Sequence, residues 1–315
     1  MGETSTRPGL KLHMDDKVVL NARALANKAL ARSQAQKRQE LTGRLKDGQL
    51  ALWRESERGI PNELVRCAVF SAKNRNEPRK IYRANAPYVI ELIGPGQIIY
   101  TGEELRQDDE TVWLQLVHMA KEARSETITF TPYSLLKTLK WPGGGDSYKR
   151  LLATLRRLMG TVLEVYSERL DKGVTTNLIA NFEYAKDHDK PWRVKVFDED
   201  DELLFLFDKL HYSRLDWDMR LALPTGIATW LHGYLASHKK PYPIYVDTLA
   251  KNAGLTLETP EDKQLDKPAQ IAKRKKRLNE AKRAIKKALE ALREREFLKS
   301  FEITKEGLVS VIRNN

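Results

Sequence analysis

Long cationic side chains recur at helical spacing in two stretches, and that pattern suits contact with duplex nucleic acid. From the cap at Asp146 or Ser147 to about Gly160, Lys149, Arg150, Arg156 and Arg157 fall opposite a stripe of Leu151, Leu155, Leu158 and Val162, with Ser147 and Tyr148 at the N-terminal end. Over residues 273–299, Lys276, Asn279, Arg283 and Lys287 fall opposite Leu278, Ala281, Ile285, Leu289 and Leu292, flanked by Lys273, Arg274, Lys275 and Arg277. Cations attract phosphates, whereas base edges are read by hydrogen bonds, so each face offers both kinds of contact. Asn279 is the residue type that pairs with adenine, and on the first face readout is expected from the N-terminal end. Residues 273–299 hold twelve Lys and Arg against four Asp and Glu, which is most of the chain's net charge of +12. Basic helix faces are often only solvated surface, but two in matching positions favour a nucleic-acid footprint. Turn residues Arg169, Lys172, Lys299 and Lys305 are placed to track phosphates.

The chemistry of catalysis is poorly represented. The histidines stand apart at 13, 118, 188, 211, 232 and 238, without the His-x-His pair of a metal-dependent nickase. Gly143-Gly144-Gly145-Asp146 lacks the Lys-Ser/Thr of a phosphate loop. Acidic clusters at Asp108–Glu110 and Asp198–Glu202 read as helix-start electrostatics and a polar turn. His118 and His232 read as core or interface, and the single cysteine, Cys67, as core. The expectation is a protein that is not an enzyme, with no cofactor and no metal. No apolar run approaches the ~20 residues that cross a bilayer, and no signal-peptide core opens the chain, so no membrane is expected.

The elements that must position these faces follow from periodicity. Residues 1–58 are polar and aromatic-poor, read as a flexible tail except for the apolar pentapeptide 49–53. Residues 59–209 give a hairpin across Gly94-Pro95-Gly96, a helix over 109–123, a strand at Thr127–Thr131 and a helix opened by Pro132. The first basic helix follows, capped by Asp146 or Ser147, and then a strand pair around Asp171-Lys172-Gly173. Residues 210–315 repeat the order, with a helix at Ile227–Leu235, a strand at Pro243–Val246 and a helix at Thr248–Ala253 capped by Asp247. The second basic helix and a hairpin around Lys305-Glu306-Gly307 complete it. The fold class expected is α+β, two tandem winged-helix domains behind a largely disordered tail.

Particular strings add to this reading. The run Ile99-Tyr100-Thr101-Gly102-Glu103-Glu104-Leu105-Arg106-Gln107-Asp108-Asp109-Glu110, with Val112-Trp113, resembles the opening of the first winged helix in TrfA-type plasmid replication initiators. The resemblance continues through Thr127-Ile128-Thr129-Phe130, reappears in Leu210-His211-Tyr212 and in Ser237-His238-Lys239-Lys240-Pro241-Tyr242-Pro243, which is similar to a family string before the second domain's short strand, and covers roughly residues 49–312. It implies a bacterial, cytoplasmic protein that binds directly repeated iterons in a plasmid origin as a monomer, in equilibrium with dimers, and helps open the origin. It also implies recruitment of the host replicative helicase and the initiator DnaA. Gln49-Leu50-Ala51-Leu52-Trp53 is similar to the family's sliding-clamp motif, with Trp53 in place of phenylalanine; Gln49, Leu50, Leu52 and Trp53 are the implied clamp contacts. The alternative is a winged-helix transcriptional repressor binding a palindromic operator as a dimer.

Overall fold

Alternating apolar residues in the first third become strands that close over one long helix. The computed structural model describes residues 54–92, 96–167, 172–187, 189–198, 206–207 and 211–314, with residues 23, 25–29 and 32 besides. The pentapeptide 49–53 and Arg169 lie outside the described residues. The chain runs through β1 (Glu57–Pro61), a one-turn helix α1 (Asn62–Val65), β2 (Phe70–Ser71), β3 (Ile81–Tyr82), β4 (Tyr88–Glu91), β5 (Gly96–Glu103) and β6 (Leu105–Arg106). β4 and β5 form the expected hairpin, with Tyr88 opposite Tyr100 and Glu91 opposite Gln97. The period of two turns Ile90, Ile98 and Tyr100 inward and Val89 and Gln97 to solvent.

Helix α2 (Gln107–Ala123) buries Val112, Trp113, Leu116, Val117 and Ala120. It is followed by β7 (Thr127–Phe130), α3 (Pro132–Thr138) with Thr131 as N-cap, and α4 (Gly145–Gly160), which carries the first basic face. The cap of α4 differs from expectation. Gly144, at φ 126°, takes that position with no side-chain bond, and Asp146 and Ser147 fall inside the helix. The strands β8 (Val162–Ser167) and β9 (Lys172–Asn177) form the expected hairpin, and β8 also pairs with β5, Thr101 opposite Val162. β7 does not join that sheet. It pairs with β11 (Trp192–Lys195), which in turn pairs with β10 (Asn181–Glu183).

β12 (Tyr212–Asp216) returns to β1, with Glu57 opposite Asp216 and Pro61 opposite Tyr212. The second basic unit is simpler: α5 (Trp217–Ala222), α6 (Ile227–Ala236), β13 (Ile244–Tyr245), α7 (Val246–Asn252), α8 (Lys267–Glu294), β14 (Leu298–Ile303) and β15 (Leu308–Arg313). Here the short strand does join the hairpin, in the order β13-β15-β14. α7 begins at Val246 rather than Thr248, with Tyr245 as N-cap, so Asp247 lies in its first turn and its carboxylate bonds Arg274 instead of capping.

Two buried clusters organise the chain. One gathers Ile60, Phe70, Trp113, Leu155, Val165 and Trp192 with Leu215 and Trp217; the other gathers Ala72 with Leu223, Trp230, Leu249, Ile285, Leu289 and Val309. The changeover therefore comes after Trp217, beyond the division at 209/210 read from the sequence, because β12 completes the first unit by pairing with β1. Cys67 and His232 are buried as expected, and burial pushes the Cys67 thiol up to about 12.

The units meet through polar contacts as well as apolar ones. Arg220 on α5 donates to Glu110 Oε2 at 2.9 Å, to Thr111 Oγ1 at 3.1 Å and to the Gln107 carbonyl at 3.2 Å, and both charged side chains are almost wholly buried. The Ala72 N–H donates to the Ala253 carbonyl at 2.8 Å. Next to it, Gly254 (φ 71°) leaves room for only a hydrogen, since a Cβ would stand 3.0 Å from that of Ser71.

Candidate nucleic-acid interface

On α4 the apolar stripe is buried as the spacing predicts, through Leu151, Leu155 and Leu158 with Thr154 among them. The arginines beside it divide into two kinds. Arg157 turns back to Asp109, its Nη2 2.7 Å and Nε 3.0 Å from Oδ1, and also donates to Thr154 Oγ1. Arg150 donates to Asp108 Oδ2 at 3.1 Å, and its guanidinium lies 3.5 Å from the centroid of the Trp141 ring. Arg79 completes the cluster, 2.6 Å from Asp109 and 3.4 Å from Asp108. Asp109 also accepts from the Arg106 N–H at 2.8 Å, which caps α2. Burial works against the Asp108 charge, but Arg150 and Arg79 overcome it and hold the carboxyl below its usual range.

This corrects the expectation that Arg150 and Arg157 project away from the body. They lock α4 onto the acidic first turn of α2. The α4 cations left towards solvent are Lys149, which is 83% exposed and only loosely paired with Asp146, and Arg156. Ser147 and Tyr148 are half-buried at its N-terminal end. Arg156 lies over the exposed Tyr184 and donates to its hydroxyl at 3.1 Å. Tyr184 was not singled out from the sequence, because it reaches α4 from just past β10, the strand that follows the hairpin.

α8 shows the same division more sharply. Asp266 caps it by accepting from the Ala269 N–H, Pro268 occupies its first turn, and Ala281, Ile285, Ala288, Leu289 and Leu292 are buried. Three of the expected contact residues are held by acids. Arg277 bonds Asp262 in the 3-10 turn Pro260–Gln264, Lys273 stands 3.5 Å from the same carboxylate, and Arg274 is tied to Asp247 and Glu258. The Arg277 hydrogen bond holds the Asp262 carboxyl far below its usual range. Lys282 donates to the Thr304 carbonyl at 2.9 Å, tying α8 to the turn between β14 and β15.

Lys276, Asn279, Arg283 and Lys287 are different. All four are exposed, and among the described residues none makes a hydrogen bond or ion pair. They form one column along the helix, opposite the buried stripe, at the spacing that brings side chains to the same face. Lys299 and Lys305 are exposed on the terminal hairpin.

Burial lowers His118 to about 4 and His232 to about 3, so both rings are neutral near pH 7. Among the described residues, no three His, Cys, Asp or Glu side chains converge as a metal site would require, and no helix is long and apolar enough to cross a membrane.

Comparison with known proteins places this geometry in context. The chain is 32% identical over 208 residues, 65% of its length, to the plasmid replication initiator protein TrfA of Escherichia coli, and the match spans 53% of that relative. Among solved structures, the Pi initiator protein in complex with iteron DNA superposes with a TM-score of 0.46 at 13% identity, covering 84% of this chain and all of that one. Domains 2–3 of RctB give 0.46 at 11% identity, covering 80% of this chain and 97% of the other. The family described as TrfA protein matches residues 16–269, which is most of the sequence, and the chain belongs to that family.

Proposed function

We propose that this chain initiates plasmid replication without enzymatic activity, by laying α4 and α8 into major grooves of repeated origin sites from two tandem winged-helix units. The carrying observation is the uncommitted column Lys276, Asn279, Arg283 and Lys287 on α8. Four exposed polar side chains without partners among the described residues, on a helix gripped by its own core along the other face, suit a groove-reading helix. Support for the winged-helix assignment comes from the order α6, β13, α7, α8, β14, β15 with its three-stranded sheet, and from the same order in α2, β7, α3, α4, β8, β9. In this reading a tail precedes two domains, and the first extends through β12 to Trp217, past the division at 209/210 expected from the sequence.

On α4 the contacts come from Ser147, Tyr148, Lys149 and Arg156, while Arg150 and Arg157 set the pose of the helix. On α8, Lys276, Asn279, Arg283 and Lys287 meet DNA directly; Lys273, Arg274 and Arg277 reach phosphates only by leaving their carboxylates. The family membership supports monomers on iterons, origin opening, and partners in the replicative helicase, DnaA and, through Gln49, Leu50, Leu52 and Trp53, the sliding clamp. The setting of this activity is the bacterial cytoplasm.

Footprinting of the full chain on the origin of its own plasmid, with mass measurement of the complexes, tests the reading. Several same-orientation repeats, each protected by one monomer, are expected. A single palindrome covered by a dimer would replace the initiator with a repressor.

A further inference from the structure

Between β2 and β3 the chain makes an eight-residue loop, Lys73-Asn74-Arg75-Asn76-Glu77-Pro78-Arg79-Lys80, with four cations and one acid. Its backbone is fixed from beneath by Arg106, a side chain only 1% exposed, whose guanidinium donates to the carbonyls of Asn74, Glu77 and Pro78. Local bonds tighten it further: the Asn76 N–H donates to Asn74 Oδ1 at 3.0 Å and the Asn74 N–H to Glu77 Oε1 at 3.3 Å. A buried guanidinium committed to three loop carbonyls leaves the loop little freedom, so its exposed side chains project from a rigid base.

The loop's position matters more than its charge. At one end Arg79 joins Asp108 and Asp109, the carboxylates that hold α4, and Arg75 lies near enough to Arg150 for their charges to oppose each other. At the other end Lys73 and Lys80 line a cleft of about 360 Å³ whose far wall includes Arg274 of α8 with Asp247 and Glu258 of the second unit. Lys80 also feels the charge of Glu261. The loop thus lies between the two helices assigned to the major grooves. Arg75 at its tip is exposed and, among the described residues, makes no hydrogen bond or ion pair.

We propose that loop 73–80 is a third DNA-contacting element, with Arg75 entering the minor groove between the two segments read by α4 and α8. Where one protein occupies two successive major grooves on one face of a duplex, the surface between them faces the intervening minor groove. An arginine on a rigid base suits that groove, because narrow A·T-rich stretches concentrate negative potential and attract guanidinium groups. Asn74 and Asn76, exposed on either side of Arg75, add neutral hydrogen-bonding groups without repelling phosphate. The inference rests on the DNA-binding reading above and adds a specificity contact to it.

The test uses the full chain on its footprinted duplex site, with Arg75→Ala compared against Arg83→Ala, an exposed arginine outside the loop. With A·T pairs at the centre of the site, Arg75→Ala is expected to weaken binding by roughly 5- to 50-fold. The central hydroxyl-radical protection should disappear while the two outer protected segments persist. With G·C pairs at the centre the loss should shrink to about twofold or less, and inosine·cytosine pairs, which lack the minor-groove amino group, should restore it. An affinity equal to that of Arg83→Ala, or the same loss on every central sequence, overturns the minor-groove contact. If the unaltered chain protects no duplex site, the DNA-binding reading fails and this inference with it; a normal footprint unchanged by Arg75→Ala refutes this inference alone.

Discussion

Replacing Arg220 with methionine keeps much of the side chain's bulk and removes the cation that answers Glu110. Both groups are almost fully buried, and the guanidinium also bonds Thr111 and the Gln107 carbonyl, so Glu110 would be left charged with no cation and only the Gln107 side chain to answer it. Breaking a buried pair from one side costs about 3–5 kcal/mol, and at an m-value of about 2–3 kcal/mol/M the urea midpoint should fall by about 1–2.5 M. Replacing Glu110 with leucine in the same chain should recover most of that loss, because the uncompensated charge then disappears. The pH dependence supplies an independent check. Burial already pushes the Glu110 carboxyl above its usual range, against the pull of Arg220, and removing Arg220 pushes it further. A carboxyl raised by folding takes up a proton more readily folded than unfolded, so the penalty is full above its folded pKa and fades as pH falls towards 4.5. The deficit of Arg220→Met relative to the unaltered chain should therefore narrow in acid. A loss below about 1 kcal/mol, or a double variant no better than the single one, would refute the account of this contact.

Other substitutions probe the faces and the seam. Arg157→Ala should lower unfolding free energy by about 1.5–3 kcal/mol, since it takes from the buried Asp109 one of its two arginines and leaves Arg79 in place, while the ratio of specific to random DNA affinity stays within about twofold. A selective loss on the specific site would show that Arg157 reaches bases. Arg283→Ala should leave thermal stability unchanged and weaken specific binding by about 1–3 kcal/mol in a titration at fixed salt. Equal weakening on random DNA would make it a phosphate contact. Gly254→Ala forces φ 71° on a side chain whose Cβ meets Ser71, and should cost about 1–3 kcal/mol in a denaturant melt; an unchanged midpoint would mean that the seam yields.

Much of this architecture is legible in local pattern. The apolar period of α8, the proline and threonine at the start of α3, and the hairpins β4–β5, β8–β9 and β14–β15 follow from residues close in sequence. What local pattern misses is set by partners far along the chain. β7 resembles the short strand of the second unit, yet it pairs with β11 more than sixty residues later. A helical wheel places Arg150, Arg157 and Lys149 alike on the polar side of α4, but cannot tell that Asp108 and Asp109 wait within reach of the first two. Arginine's long stem lets its charge turn back along the helix as easily as outward. The acidic run Asp108–Glu110 reads as helix-start electrostatics, and Asp109 does cap α2; its larger part, binding Arg79 and Arg157, depends on a loop thirty residues before it and a helix four dozen residues after it. The same holds for Asp262 and Arg277, where an unremarkable turn removes an arginine from the expected DNA face.

The pairing of β1 with β12 bears on how this protein can be made and divided. During synthesis the first unit cannot close its edge until Asp216 has left the ribosome, by which point all of α2 and α4 have emerged and must wait with Ile60 and its neighbours uncovered. A fragment ending at 209 would carry β1 as an open strand edge and lack Leu215 and Trp217 from its core, inviting association between copies. A fragment ending after Trp217 retains both.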